Sequence, residues 1–167
     1  MEMGGVYFGK PGTDAEYLIL LHKLAKSFKL SSELINAKFD EITKQGMSPD
    51  ISGENVFLCI TASTNLAFSC ELVLKALLLK HKNEKAKGHD LHKLIGKLDS
   101  AMQADIEKCV VSSWTDKKNP LGNYQKRLVE NSLAFTDLRY AYEGNLHHSF
   151  TFIKVLNDVL FSLYEKP

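Results

Sequence analysis

Past its first dozen residues, the chain repeats apolar positions every three or four residues, and nowhere does it alternate with period two. That spacing is the mark of amphipathic helix, so the pattern predicts an all-α fold. Thr13-Asp14-Ala15-Glu16 has the form of a capping box, with Tyr17, Leu20, Leu21, Leu24 and Phe28 following at helical spacing. The pattern resumes at Leu34, Ile35, Phe39 and Ile42, with a kink expected at Ser31-Ser32, and Gly46, Pro49 and Gly53 mark a turn. A second helix is predicted from about Glu54 to Lys82. Its first half is rich in small residues, and its second half, Leu72 to Leu79, is apolar nearly all round, as a central helix would be.

Beyond the polar linker Asn83 to Gly88, Asp90 is placed to cap a short helix carrying Leu91, Leu94, Ile95 and Leu98. Ser100 and Gln103 form a second capping-box pattern, opening a helix through Ile106, Val110 and Trp114. Thr115 to Asn123 reads as a loop, with Asn119-Pro120 as the start of a helix that runs to Gly144. Asn145 then caps a last helix with Phe152, Ile153, Leu156, Val159, Leu160 and Leu163. The predicted architecture is one up-and-down-type bundle of five to six helices over residues 13–167, preceded by a flexible lead-in over residues 1–12.

Two charges break the apolar pattern. At about 100° per residue, Leu121, Tyr124, Leu128, Ser132, Phe135, Arg139 and Tyr142 fall on one stripe, which is apolar but for the arginine. In the central helix Glu71 lies close in angle to Ala67, Leu74 and Leu78. A guanidinium has five donors and stays charged, so in an apolar stripe it needs a partner or a water-filled pocket. Three arrangements satisfy these groups. One is a buried Glu71–Arg139 pair that fixes the register of the bundle. Another is local i,i+4 pairing, of Glu71 with Lys75 and Arg139 with Glu143. The third is a polar pocket, with Tyr142 beside it, in which Arg139 holds a phosphate or a developing negative charge.

Composition narrows the remaining chemistry. A 167-residue chain can bury a full core, and its 21 Lys+Arg against 20 Asp+Glu leave no overall electrostatic signature of nucleic acid or membrane. Cys59, Cys70 and Cys109 are odd in number and lie in helical patterns, as buried free thiols of a reducing compartment would. There is no Gly-rich phosphate loop, Cys-x-x-Cys or His-Glu-x-x-His. His89 and His92 straddle a predicted helix start, and His147 and His148 are adjacent, so neither pair has good ligand geometry and no metal or cofactor is expected. Tyr17 to Leu21 is too short for a signal sequence, and no stretch is read as a membrane span, so the expectation is a cytoplasmic protein without a membrane partner.

Three short motifs then come together: Glu71-Leu72-Val73-Leu74-Lys75-Ala76-Leu77-Leu78, Gly88-His89-Asp90-Leu91 with Leu94, and Phe135-x-x-x-Arg139-Tyr140-x-Tyr142-Glu143. Their order and spacing, over roughly residues 55–160, resemble the HEPN superfamily of small prokaryotic and eukaryotic helical bundles. The resemblance implies a bundle that is often a homodimer. Many members are metal-independent endoribonucleases of toxin–antitoxin or other defence systems. Others accompany minimal nucleotidyltransferases or act as binding modules without catalysis.

In the catalytic members an Arg-x4-6-His motif from each protomer builds a composite site. The arginine contacts the scissile phosphate, and the histidine assists attack by the ribose 2′-hydroxyl. Counted from Arg139, that histidine would fall at Gly144, Asn145 or Leu146, and the first histidines are His147 and His148. In a continuous helix His147 would stand about 80° off the arginine's face and about 12 Å along the axis. The resemblance with this departure implies a non-catalytic or weakly active module that binds RNA, a nucleotide or a protein partner such as an antitoxin or nucleotidyltransferase. The alternative is a ribonuclease toxin using Arg139 with His147 or His148 across a dimer interface.

Overall fold

The structure, a computed structural model, describes residues 11–44, 54–140 and 148–166. These form seven helices and, among the described residues, no strand: α1 Asp14–Lys44, α2 Glu54–Lys82, α3 Leu91–Gly96, α4 Ser100–Ser113, α5 Tyr124–Glu130, α6 Ala134–Arg139 and α7 Phe150–Tyr164. The architecture is the expected all-α bundle.

α1 opens on the capping box that its sequence spells. Thr13 Oγ1 accepts from the Glu16 backbone N–H at 3.2 Å, and Glu16 Oε2 accepts from the N–H groups of Thr13 and Gly12. It runs 31 residues as one unbroken helix through Ser31-Ser32. Both serines are used for packing. Ser32 is buried, and Ser31 Oγ accepts from Asn65 Nδ2 at 3.1 Å, so two small residues let α2 lie close. Asp14 pairs with Lys85, Ala25 with Ser69 and Ser31 with Asn65, so the partner number falls as the α1 number rises: the two helices are antiparallel.

α2 is the axle of the bundle. From Ser69 to Leu79 every residue except Lys75 is buried, because α1, α3, α6 and α7 all pack on it. Each Leu enclosed there contributes about 1.5–3 kcal/mol of apolar burial. One expectation needs correction. The stretch Phe57–Lys82 is long and apolar enough to cross a membrane, with mean hydropathy 1.6. A core helix of a bundle can have the same composition as a lipid-facing one, and half of the apolar 18-residue window in this stretch is buried inside the bundle.

α7 buries Phe152, Ile153, Leu156 and Leu160 and packs on α2 and α4. Asn157 Nδ2 donates to Ser69 Oγ, which in turn donates to the Ala25 carbonyl, so one neutral chain of hydrogen bonds joins α7, α2 and α1. The cap of α7 is Ser149, whose Oγ accepts from the Phe152 N–H, rather than Asn145, which lies outside the described residues. At α4 the cap is Asp99, not Ser100, and Gln103 Nε2 donates to the Leu98 carbonyl instead of completing a box.

The largest departure is at Asn131. The predicted helix from Pro120 to Gly144 is two helices. α5 starts later, on an Asn123 cap, after Gly122 takes a left-handed φ of 67°. It ends at Glu130, and α6 restarts at Ala134. Asn131 is buried: its Nδ2 donates to the Arg127 carbonyl, and its Oδ1 accepts from the Ser149 backbone N–H at 2.7 Å. The turn it makes frees the Ser132 carbonyl to accept from the Leu91 N–H at 2.8 Å. Two distant helix starts, those of α7 and α3, are therefore tied to the break.

Candidate functional site

Arg139 closes the helix that follows that break. α6 buries Ala134, Phe135 and Leu138, and Arg139 falls at its exposed end. The apolar members of the predicted stripe, Leu121, Tyr124, Leu128 and Phe135, are buried in one core, and the arginine beyond them is exposed. Its guanidinium lies over the Phe135 ring, 5.3 Å from the centroid, and 5.7 Å from that of Tyr140. Phe135 in turn stacks on Phe68 of α2, with centroids 4.4 Å apart and planes 17° from parallel, and Phe28 of α1 closes on Phe68 edge-on. A column of three aromatic rings thus holds Arg139 at the surface.

Glu71 takes the opposite position. It is 1% exposed, and each carboxylate oxygen has one donor: Lys75 Nζ at 2.6 Å on Oε1 and His89 Nδ1 at 2.9 Å on Oε2. The local Glu71–Lys75 pair is therefore formed, and the structure does not bring Glu71 and Arg139 together as a buried pair. The partner of the other local pair, Glu143, and the site candidates Tyr142 and His147 lie outside the described residues. His148 is described. Its Nε2 donates to Asp137 at 3.1 Å, its side chain is 8% exposed, and its buried Nδ1 has no partner among the described residues.

The residue that joins these pieces is His89, which the sequence offered as a weak metal ligand and as part of the Gly88-His89-Asp90-Leu91 motif. Gly88 adopts a left-handed φ of 95°, a conformation that side chains rarely take, and so swings the chain into α3. Asp90 then caps α3 by accepting from the Lys93 N–H, and the Leu91 N–H is anchored on Ser132. Between these fixed points His89 is held over Glu71, with its ring 5.6 Å from that of Phe135. Its side chain is half exposed. A carboxylate only accepts, so the proton on the neutral ring sits on Nδ1 and Nε2 keeps its lone pair. Among the described residues Nε2 has no partner.

Other titratable groups offer less. Burial pushes the Cys70 thiol up to about 12, so it stays protonated and inert, and Cys59, half-buried, is raised by burial too. Among the described residues no group of three or more His, Cys, Asp or Glu side chains is gathered as metal ligands would be. Compared with protein-family models, curated proteins and solved structures, the chain matches none.

Proposed function

We propose that the face around Arg139 binds phosphate groups of RNA or a nucleotide, as a HEPN-like binding module would. The observation that carries this reading is an exposed guanidinium held in place by two aromatic rings rather than spent on a carboxylate among the described residues. Ring contact on the apolar faces of the group leaves its N–H edge for oxygen acceptors, and a phosphate matches that fork. Tyr140, exposed beside it, adds a flat surface of the kind on which bases stack. With net charge +1 for the whole chain, such binding is local and selective rather than driven by a bulk field.

In this reading the protein works in the cytoplasm of a prokaryote, as a homodimer, in a toxin–antitoxin or defence system with an antitoxin or nucleotidyltransferase partner. The HEPN resemblance alone supports those parts. His148 has little support as the proton acceptor of a cleaving site, since it is enclosed and committed to Asp137.

The test is fluorescence anisotropy with a labelled single-stranded RNA and with labelled nucleotides. Arg139→Ala is expected to weaken binding by about 10- to 100-fold, the worth of a hydrogen bond to a charged group. Arg139→Lys should recover part of it, because a point charge replaces the fork. Binding that is absent from the native protein, or unchanged in Arg139→Ala, refutes the reading.

A further inference from the structure

Tyr124 opens α5 and is only 4% exposed, with its ring tilted against Phe152 in the core. Its hydroxyl is buried and has no hydrogen-bond partner among the described residues. That is unusual, because a hydroxyl taken out of water and left unpaired is costly, and a buried tyrosine ordinarily finds a partner. Burial first, and then the charge of Glu107 on α4, hold the phenol above its ordinary pKa, so it stays a neutral hydroxyl. The phenol oxygen is thus within electrostatic reach of that carboxylate.

Tyr124 and Glu107 line one cavity, of about 210 Å³, between α3, α4 and α5. Ile95 and Leu128 form its apolar wall, and Gln103 and Gln125 stand on its polar side. Gln125 Nε2 donates to Glu107 Oε2 at 3.1 Å, and Gln103 Nε2 donates to the Leu98 carbonyl at 2.7 Å. Those partners can only accept, so they fix which end of each amide is nitrogen and leave the amide oxygens over. Glu107 Oε1 has no donor, and Glu107 has no ion-pair partner, among the described residues. No described lysine or arginine lines the cavity, and its one further basic side chain, His92, is exposed. What remains is a group of acceptors around a single negative charge. Such a surface complements a ligand that brings N–H donors and a positive charge. The apolar wall complements a short hydrocarbon stem. A cavity of about 150 Å³ holds a benzene-sized ligand, so roughly eight non-hydrogen atoms fit here.

We propose that this cavity binds a small organic cation, of the alkylguanidinium or alkylamine class, with Glu107 as its counter-charge and the Tyr124 hydroxyl as a second acceptor. The cationic head satisfies the carboxylate oxygen and the buried hydroxyl together, and the stem lies along Ile95 and Leu128. None of the residues placed around Arg139 lines this cavity, and its ligand carries the opposite charge to a phosphate. The two sites therefore stand or fall separately.

The experiment titrates the full chain, by calorimetry, with three probes of matched size: butylguanidinium, its neutral isostere butylurea, and hexanoate. The cation should bind, the urea should bind at least about 10-fold more weakly, and the carboxylate should not bind. Glu107→Gln should weaken the cation by about 10- to 100-fold, the worth of a hydrogen bond to a charged group, and leave the urea unchanged. Tyr124→Phe should weaken the cation by about 2- to 10-fold. It should also melt no lower than the native protein, because the hydroxyl leaves no protein partner behind. Asp105→Asn removes an exposed acid of α4 outside the cavity and should bind as the native protein does, which separates the site from general surface attraction. Cation binding that is absent, no tighter than that of the urea, or unchanged in Glu107→Gln overturns the proposal. A Tyr124→Phe protein that melts lower and binds the cation as before removes the hydroxyl from the site.

Discussion

Two polar clusters hang from the same stretch of α2, two residues apart, and they are built in opposite ways. Ser69 belongs to a neutral chain closed inside the core: Asn157 donates to it, and it donates to the Ala25 carbonyl. Glu71 belongs to a charged cluster that leads outward, through Lys75 and then through His89 to solvent. A closed neutral network has no route to a substrate, and its effect is to fix how α1, α2 and α7 pack. A charged group can be kept in a core only with partners, and when one partner reaches the surface the buried carboxylate can act on chemistry there. The difference separates a polar group that specifies the fold from one that the fold positions for use.

The comparison can be broken by removing each cluster in turn. Glu71→Ala should have the largest effect on folding, about 3–5 kcal/mol by urea denaturation, because it leaves Lys75 mostly buried without its carboxylate. The double change Glu71→Leu with Lys75→Met should recover most of that loss, and a double variant no more stable than Glu71→Ala would show that the ion pair is not its source. Asn157→Ala should cost less, about 1–3 kcal/mol, since only neutral hydrogen bonds are lost in the core.

His89→Ala should shift stability by no more than about 1 kcal/mol. A large loss of stability there would make the histidine part of the scaffold and erase the contrast with Ser69.

The smallest effect concerns Asp158, which ties α7 to α1. Burial pushes its carboxyl up, but hydrogen bonds from Lys154 and Lys29 outweigh burial and hold it below its ordinary value of 3.8. A group whose folded pKa is depressed stabilises the fold above its unfolded pKa and loses that contribution as pH falls through the lower folded value. Thermal melts from neutral pH downward should therefore show part of the acid destabilisation below about pH 4 disappear in Asp158→Asn, up to about 1 kcal/mol for so exposed a pair. An unchanged profile would assign the acid sensitivity to other groups.

Much of the bundle was legible because its signals are local. The Thr13–Glu16 box, the Asp90 cap and the limits of α2 depend on residues within a turn of one another, and each stands where the pattern placed it. The misread boundaries have distant causes. Nothing near Asn131 in sequence announces that its side chain will accept from Ser149, or that the turn it makes will serve Leu91. Gly88-His89-Asp90 was visible as a motif, but its partner Glu71 lies eighteen residues earlier on another helix. The available signal was arithmetical: a carboxylate on the axle of the bundle has two oxygens to satisfy, and Lys75 reaches only one of them.

The amino-acid sequence by itself determined that this protein is helical, that α2 lies at its centre and that Glu71 and Arg139 are its exceptional charges, because helix periodicity and capping are decided within a few residues. Only the tertiary structure decided what those charges do. Arg139 stands at the exposed end of α6 over the Phe135 ring, and packing α3 across α2 placed His89 on Glu71. Neither outcome is encoded in spacing along one helix, since each depends on hydrogen bonds between segments that meet only when the core closes.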